Sequence, residues 1–269
     1  MTFRIETDQI GVAGDWHCNT GWAKRSLKAF KTAGIKQIFQ LGDFGIWGGH
    51  DGASFIRKVV KWLNENDQYL YVTPGNHEDY VRIAATPIAE DGTQWYQGNE
   101  RLKLLPRGFR GVFQTTVRDI PWVSLGGANS IDFKGRREGI SWWREESIAI
   151  GDVYSVAMGG SSEMMFCHDI PAGVPLALDR KSGEFGWHPD EINYANAGRE
   201  IMRQAVDAVQ PKVLFHGHYH IYQDVSTELS IIGAEEAYIL RTIGLACDEH
   251  ENSAMVYNLI TESYSLIKV

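Results

Sequence analysis

The side chains able to do chemistry arrive in five short clusters. Asp15-Trp16-His17 comes first, followed by Gly42-Asp43 and Gly75-Asn76-His77-Glu78. A lone Cys167-His168-Asp169 follows, and Gly217-His218-Tyr219-His220 completes the series. Imidazoles, carboxylates and an amide oxygen together suit divalent metals. Two such cations held about 3.5–4 Å apart need a shared anionic ligand against their mutual repulsion. Asp43, on a tight glycine turn, is the candidate bridge. Asp15 and His17 stand at i and i+2, so in extended backbone both leave the same face and can grip one metal. His218 and His220 repeat that spacing with Tyr219 pointing away, and can reach two neighbouring metals. Asn76 offers a neutral carbonyl oxygen and His168 an imidazole. Two divalent cations bring four positive charges, and two aspartates with a bridging hydroxide return three. The remainder attracts a phosphate oxyanion. Each cluster alone has an ordinary explanation, a turn aspartate or a surface histidine. Their joint occurrence points to metal-assisted hydrolysis of phosphate esters.

The clusters each follow a short apolar run that reads as a strand. Residues 10–13, 37–41 and 69–72 are expected strands. Between them, one helix carries Ala23, Leu27 and Phe30 at i, i+4 and i+7, with Gly34 beyond its end. A second carries Phe55, Ile56, Val59, Val60 and Leu63 on one face. This β-α-β-α-β order implies a parallel, right-handed unit. Ligands in such sheets gather beyond the carboxyl ends of the strands, where the first three clusters lie. Residues 122–125, 164–167 and 213–216 read as further strands, with a helix over residues 191–209 closed by Pro211. Residues 238–243, 254–259 and 264–268 read as the last strands, the final two close enough for a hairpin. A parallel half followed by a strand-rich half predicts two facing sheets with helices outside.

At 269 residues and 43% hydrophobic, the chain has the material for a large core. It reads as one domain over residues 1–269, with insertions near 84–100, 131–151 and 171–193. Long loops in compact domains are often functional. No apolar stretch reaches the roughly 18 residues of a membrane span, and residues 1–9 are too polar and acidic for a signal peptide. No membrane partner is therefore expected. The formal charge of −8 argues against an extended groove for DNA or RNA, though not against a short phosphodiester. Cys18, Cys167 and Cys247 show no CxxC spacing, which suits a reducing cytoplasm. Cys18 and Cys167, each beside a candidate ligand, read as small packing residues. His50, His188 and His250 read as surface residues. His216, inside its strand, reads as a core or supporting residue rather than a ligand. Oligomeric state stays open.

This series resembles the signature of the calcineurin-like metallophosphoesterases: D-x-H, G-D, G-N-H-[ED], H and G-H-x-H. The match runs from Asp15 to His220. The length and the segment from Gly126-Gly127-Ala128 to Trp142-Trp143 are most similar to small phage and actinobacterial members. The resemblance implies an α/β fold, a four-layer α/β/β/α sandwich of the metallo-dependent phosphatase type. By matching positions, one metal would take Asp15, His17, Asp43 and His220. The other would take Asp43, Asn76, His168 and His218. His77 would be the general acid. Two divalent ions are implied, with Mn, Fe, Zn or Co suited to mixed N/O ligation. The location would be cytoplasmic, in the host for a phage protein. There are departures. Cys18 follows His17 where many members carry Gly or another small or apolar residue. Phe44-Gly45-Ile46-Trp47-Gly48-Gly49 follows Asp43, where the protein phosphatases carry Asp-Arg-Gly with a phosphate-holding Arg. The missing Arg weakens a phosphoprotein reading and favours a diesterase of nucleotide type.

The expected reaction is in-line attack on phosphorus by a hydroxide bridging the metals, with His77 protonating the leaving alkoxide. The expected substrate is a small phosphodiester or nucleotide: cyclic nucleotides, 2′,3′ ahead of 3′,5′, and artificial bis-esters. A DNA or RNA nuclease is the first alternative and a phosphomonoesterase the second. A non-catalytic scaffold comes last, because every motif position is filled. Arg136 and Arg137, ahead of Trp142 and Trp143, could supply phosphate contact and base stacking. A solvated charged turn beside packed aromatics is the favoured reading, and these residues stay outside the catalytic set.

Overall fold

Local pattern and long-range pairing both contribute to the architecture. The computed structural model describes residues 2–95, 99–176, 186–231, 233 and 235–269. β1 (Phe3–Glu6) and β2 (Gln9–Ala13) lead into α1 (Thr20–Thr32), β3 (Gln37–Gln40), α2 (Gly49–Asn66) and β4 (Tyr69–Val72). Then come α3 (Tyr80–Ala84), β5 (Gln94–Trp95), β6 (Leu102–Leu104), β7 (Arg110–Gln114) and β8 (Asp119–Leu125). α4 (Ile150–Met158), β9 (Met164–Cys167), α5 (Pro189–Val209) and β10 (Val213–His216) follow. The order is completed by β11 (Gln223–Ser230), β12 (Ala237–Gly244), β13 (Ala254–Asn258) and β14 (Ser263–Leu266).

The expected parallel unit is present: β2, β3 and β4 pair in parallel. α1 starts at Asn19, whose side chain accepts from the backbone N–H of Trp22, satisfying one of the donors a helix start leaves open. Its buried face includes Ala23, Leu27 and Phe30. α2 buries Phe55, Ile56, Val59 and Leu63 and ends at Asp67 in a left-handed cap. These faces pack on Ile38, Leu70 and Val72 of the sheet.

Among the described residues, two seven-stranded sheets face each other. Their orders are β14-β13-β2-β3-β4-β6-β5 and β1-β7-β8-β9-β10-β12-β11. Between them lies an aromatic layer. Phe39 stacks on Phe166 with centroids 4.2 Å apart, and Phe166 stacks on Phe215 at 5.3 Å. On the far side, α4 and α5 cover Val123, Leu125, Met165 and Leu214. The result is the expected four-layer α/β/β/α arrangement.

The division into halves by sequence is corrected. β1 pairs with β7 in the second sheet, and the β13–β14 hairpin joins the first sheet through β2. β1 escaped the sequence reading because it is an edge strand burying only Ile5, so it shows no apolar run. β6 and β7 are short, and α4 lies across the end of the segment read as the 131–151 insertion. Of the other insertions, residues 96–98 and 177–185 lie outside the described residues.

Candidate metal centre

Every cluster leaves the carboxyl end of a strand. Asp15 and His17 follow β2, Asp43 follows β3, and Asn76 and His77 follow β4. His168 follows β9 directly, and His218 and His220 follow β10. Parallel pairing aligns those ends within each sheet, and the facing sheets bring the two rows together. The expected alternation of extended backbone does not orient the side chains. His17, Asp43, His218 and His220 have φ of 44°, 48°, 68° and 57°. This left-handed region costs a non-glycine residue of order 1–3 kcal/mol and is concentrated at functional sites. The i, i+2 pairs therefore converge through turns rather than through the pleat.

Two glycines make the approach possible. Gly42 has φ +100°, and a Cβ there would lie 2.3 Å from His168 Nδ1. A Cβ on Gly75 would lie 2.2 Å from both the backbone nitrogen and Oδ1 of Asp43.

The donors form two groups that share Asp43. Asp15, His17, Asp43 and His220 offer one set of atoms, and Asp43, His168 and His218 another, each set lying within 4.8 Å. His220 Nε2 stands 3.3 Å from Asp15 Oδ2, and His17 Nε2 stands 3.8 Å from Asp43 Oδ2. His168 Nε2 lies 3.4 Å from Asp43 Oδ1 and 2.8 Å from Asn76 Oδ1. Asn76 thus belongs beside the second group. Asp15, Asp43, Asn76 and His168 are buried, while His17 and His220 keep one side toward solvent.

Surrounding side chains fix which atom each donor presents. His168 Nδ1 is 2.6 Å from the Leu41 carbonyl, an acceptor, so Nδ1 carries a proton, and a ring made neutral by a metal would offer its lone pair from Nε2. His17 Nδ1 is 2.8 Å from Asp248 Oδ1, which leaves Nε2 for the centre in the same way. The Asn76 amide N–H₂ donates to Ser130 Oγ at 2.8 Å, and Ser130 Oγ donates to Glu146 Oε2 at 2.7 Å. That chain turns the Asn76 carbonyl oxygen toward His168. Glu78 accepts from the backbone N–H groups of Phe44, Gly45 and Ile46 at 2.6, 3.2 and 2.7 Å, clamping the loop after Asp43.

Asp248, Ser130 and Glu146 escaped the sequence reading. No motif marks them, and only the adjacency of Glu78 to His77 hinted at its role.

Charge is concentrated here. Burial opposes a charged His17, but hydrogen bonds to Asp248 and Asp43 outweigh it and raise its pKa to about 11. Hydrogen bonds to Asp15 and Cys247 raise His220 to about 10. Burial opposes charge on His168 too, and Asp43 overrides it to about 9. Burial would raise Asp43, yet His168 and His77 hold it well below the usual carboxylate range. Burial lowers His77, Asp43 works against that, and Arg136 adds to the lowering. Burial, reinforced by the charge of Asp43, pushes Glu78 up to about 7.

His77 donates its backbone N–H to Asp43 Oδ1 at 2.8 Å, and its Nε2 lies 3.8 Å from Asp43 Oδ2. The structure separates the four residues of the charged and aromatic turn. Arg136 reaches His77, contrary to the reading as a wholly solvated turn, while Arg137 is exposed. Trp142 packs against Phe133, with centroids 5.9 Å apart, and Trp143 is buried. His216 is buried, its Nδ1 3.0 Å from the Gly217 carbonyl, and desolvation lowers its pKa to about 4. His50, His188 and His250 are exposed, and His188 caps α5. Cys167 and Cys247 are buried and Cys18 half-buried, all three free thiols.

This donor set fits a pair of divalent cations. It mixes imidazole nitrogens with carboxylate and amide oxygens, hydrogen bonds at Nδ1 turn Nε2 of His17 and His168 toward the centre, and one carboxylate is shared. No curated protein matches the chain. Among solved structures, the fold is similar to TT1561 from Thermus thermophilus, at 12% identity and TM-score 0.53 over 96% of this chain and 97% of that one. It is also similar to a dimetal phosphatase from Danio rerio, at 14% identity and TM-score 0.54 over 95% and 93%. At such identities the likeness concerns the fold alone. The family pattern described as calcineurin-like phosphoesterase matches residues 9–222, most of the chain and all five clusters. This chain therefore belongs to the calcineurin-like phosphoesterase family.

Proposed function

We propose that this protein is a phosphodiesterase acting on small esters of nucleotide type, cyclic nucleotides foremost, with 2′,3′-cyclic ahead of 3′,5′-cyclic. The observation that carries the reading is the sharing of Asp43 between two donor groups, with His77 3.8 Å from the same carboxylate. Two divalent cations, of Mn, Fe, Zn or Co, would activate water there and offset charge developing on phosphorus. Asp43 holds the two halves of the centre together. Asp15, His17 and His220 form one side, and Asn76, His168 and His218 the other. His77 hands a proton to the leaving alkoxide, a step typically worth about 10²–10⁴-fold.

The loop after Asp43 supports a diester over a phosphoprotein substrate. Phe44 and Ile46 are buried, and Glu78 ties down the backbone of residues 44–46. Those side chains pack into the core, and the loop carries no basic residue where a protein phosphatase would place its phosphate-holding cation. Kinship with small phage and actinobacterial members and a cytoplasmic location are part of the same proposal. Among the described residues, no helix is long and apolar enough to cross a membrane.

The deciding experiment is turnover by metal-reconstituted protein on bis-esters, mono-esters, cyclic nucleotides and oligonucleotides. Preference for bis-esters and cyclic nucleotides is expected. Activity confined to oligonucleotides would replace the substrate assignment with a nuclease. A chain that takes up no metal would remove the reading altogether.

A further inference from the structure

The segment of residues 131–151 returns one guanidinium to the metal centre. Arg136 Nη1 stands 2.9 Å from His77 Nδ1, and Nη2 stands 2.7 Å from His77 Nε2. Behind it, Asp132 accepts from Nε at 2.7 Å and from Nη2 at 2.8 Å, one helical turn earlier in sequence. Nη1 also reaches the Ser141 carbonyl at 3.2 Å. Asp132 thus fixes the plane of the fork and leaves the edge of Nη1 and Nη2 facing the imidazole. A neutral imidazole offers one acceptor lone pair and a protonated one offers none. Two N–H groups therefore approach a partner that can accept from one at most. The side chain of Arg136 is only 13% exposed, so water does little to satisfy the surplus. Steps of 2.7 and 3.8 Å lead from Arg136 Nη2 through His77 Nε2 to Asp43 Oδ2. A cation with spare donors is thereby held on the His77 side of the shared carboxylate.

We infer that Arg136 is a substrate-binding residue whose guanidinium takes a non-bridging oxygen of the substrate phosphoryl group on the His77 side. A diester carries one negative charge over two non-bridging oxygens. One oxygen faces the Asp43 side of the centre, and Arg136 takes the other. Arg136 comes from the 131–151 segment and sits on His77, not at the position after Asp43. The fork geometry of arginine suits an oxyanion better than the point charge of lysine. The inference rests on the phosphoester chemistry proposed above, and its test separates the two.

The test is calorimetric titration of the full-length, metal-reconstituted protein with inorganic phosphate, with metal content measured on every sample. Arg136→Ala should retain its metals and bind phosphate about 10–100-fold more weakly, as expected for a lost hydrogen bond to a charged group. Its KM for a bis-ester should rise more than its kcat falls. Arg136→Lys should fall between the two, which keeps the test alive if the alanine variant misfolds. Asp132→Asn, which loosens the fork, should weaken phosphate binding to a smaller degree. Phosphate binding by Arg136→Ala equal to that of the wild type overturns the inference. So does a wild type that binds metal but no phosphate. A wild type that binds phosphate and hydrolyses none of the esters sinks the proposed function, while the Arg136 comparison still decides this inference.

Discussion

His77 lies against a carboxylate and a guanidinium that pull its proton affinity in opposite directions. The proposed role of His77 as proton donor predicts a dependence on the leaving group. His77→Ala should keep its metals and lose most activity on esters with poor leaving groups, by about 10²–10⁴-fold. On an activated nitrophenyl ester the loss should be much smaller. Steady-state kinetics on the two substrate classes makes the comparison, and equal losses would remove His77 from that role. His17 poses a different question, because its Nδ1 is held by Asp248. Such outer partners orient the imidazole, and removing one typically lowers metal affinity about 10–100-fold. Asp248→Ala should show that loss in a metal titration. Because Asn19 also donates to Asp248, at 2.7 Å, a fall in melting temperature should accompany it. An unchanged metal affinity would show that Asp248 serves only the start of α1.

At the scale of elements, the 131–151 segment is a support for the centre as well as an insertion. Glu146 accepts from the Ser130 backbone N–H and from Ser130 Oγ, both at 2.7 Å, and Ser130 in turn holds Asn76. Burial raises the Glu146 carboxyl to about 7, although the Ser130 hydrogen bonds oppose it. A raised carboxyl pKa means that the folded state holds this proton more tightly than the unfolded chain. Its stabilising contribution is complete below the ordinary value of 4.5 and is lost as pH rises through about 7. Glu146→Gln should therefore flatten part of the decline in thermal stability across that window, leaving the part due to Glu78. Melting curves as a function of pH read this directly, and a slope equal to that of the wild type would count against the assignment. The helices and central strands around this segment were legible because their apolar residues repeat at helical spacing or run continuously. Glu146 was not legible as a neighbour of the site, and phosphate contact by Arg136 was only the less favoured of two readings, since nothing local distinguishes either from other charges in a turn.

At the scale of the molecule, the facing sheets gather carboxylates and imidazoles into one partly buried centre. Its carboxylates hold protons on His17 and His220, raised to about 11 and 10. A cation competes with those protons for the same rings, so metal uptake should release protons and tighten as pH rises. Calorimetry in buffers of different protonation enthalpy should give buffer-dependent heats. Heats independent of buffer would argue against both residues as ligands. Binding to the folded state alone also stabilises it, by about 2.7 kcal/mol at a hundredfold excess of free ligand over Kd. A chelator should accordingly lower the melting temperature of the loaded protein.

The sequence by itself determined the types and order of the donors, the parallel β-α-β-α-β unit, and the missing cation after Asp43. These are local properties: side-chain identity, apolar spacing and turn chemistry act over a few residues. The tertiary structure alone decided that β1 crosses to the second sheet and that the β13–β14 hairpin joins the first. It also decided that the ligand pairs turn through left-handed backbone. Asp248 stands 231 positions from His17, and Arg136 stands 59 from His77. Hydrogen bonds act over about 3 Å of space whatever the sequence separation. Only the closing of the two sheets on one another could make these residues neighbours.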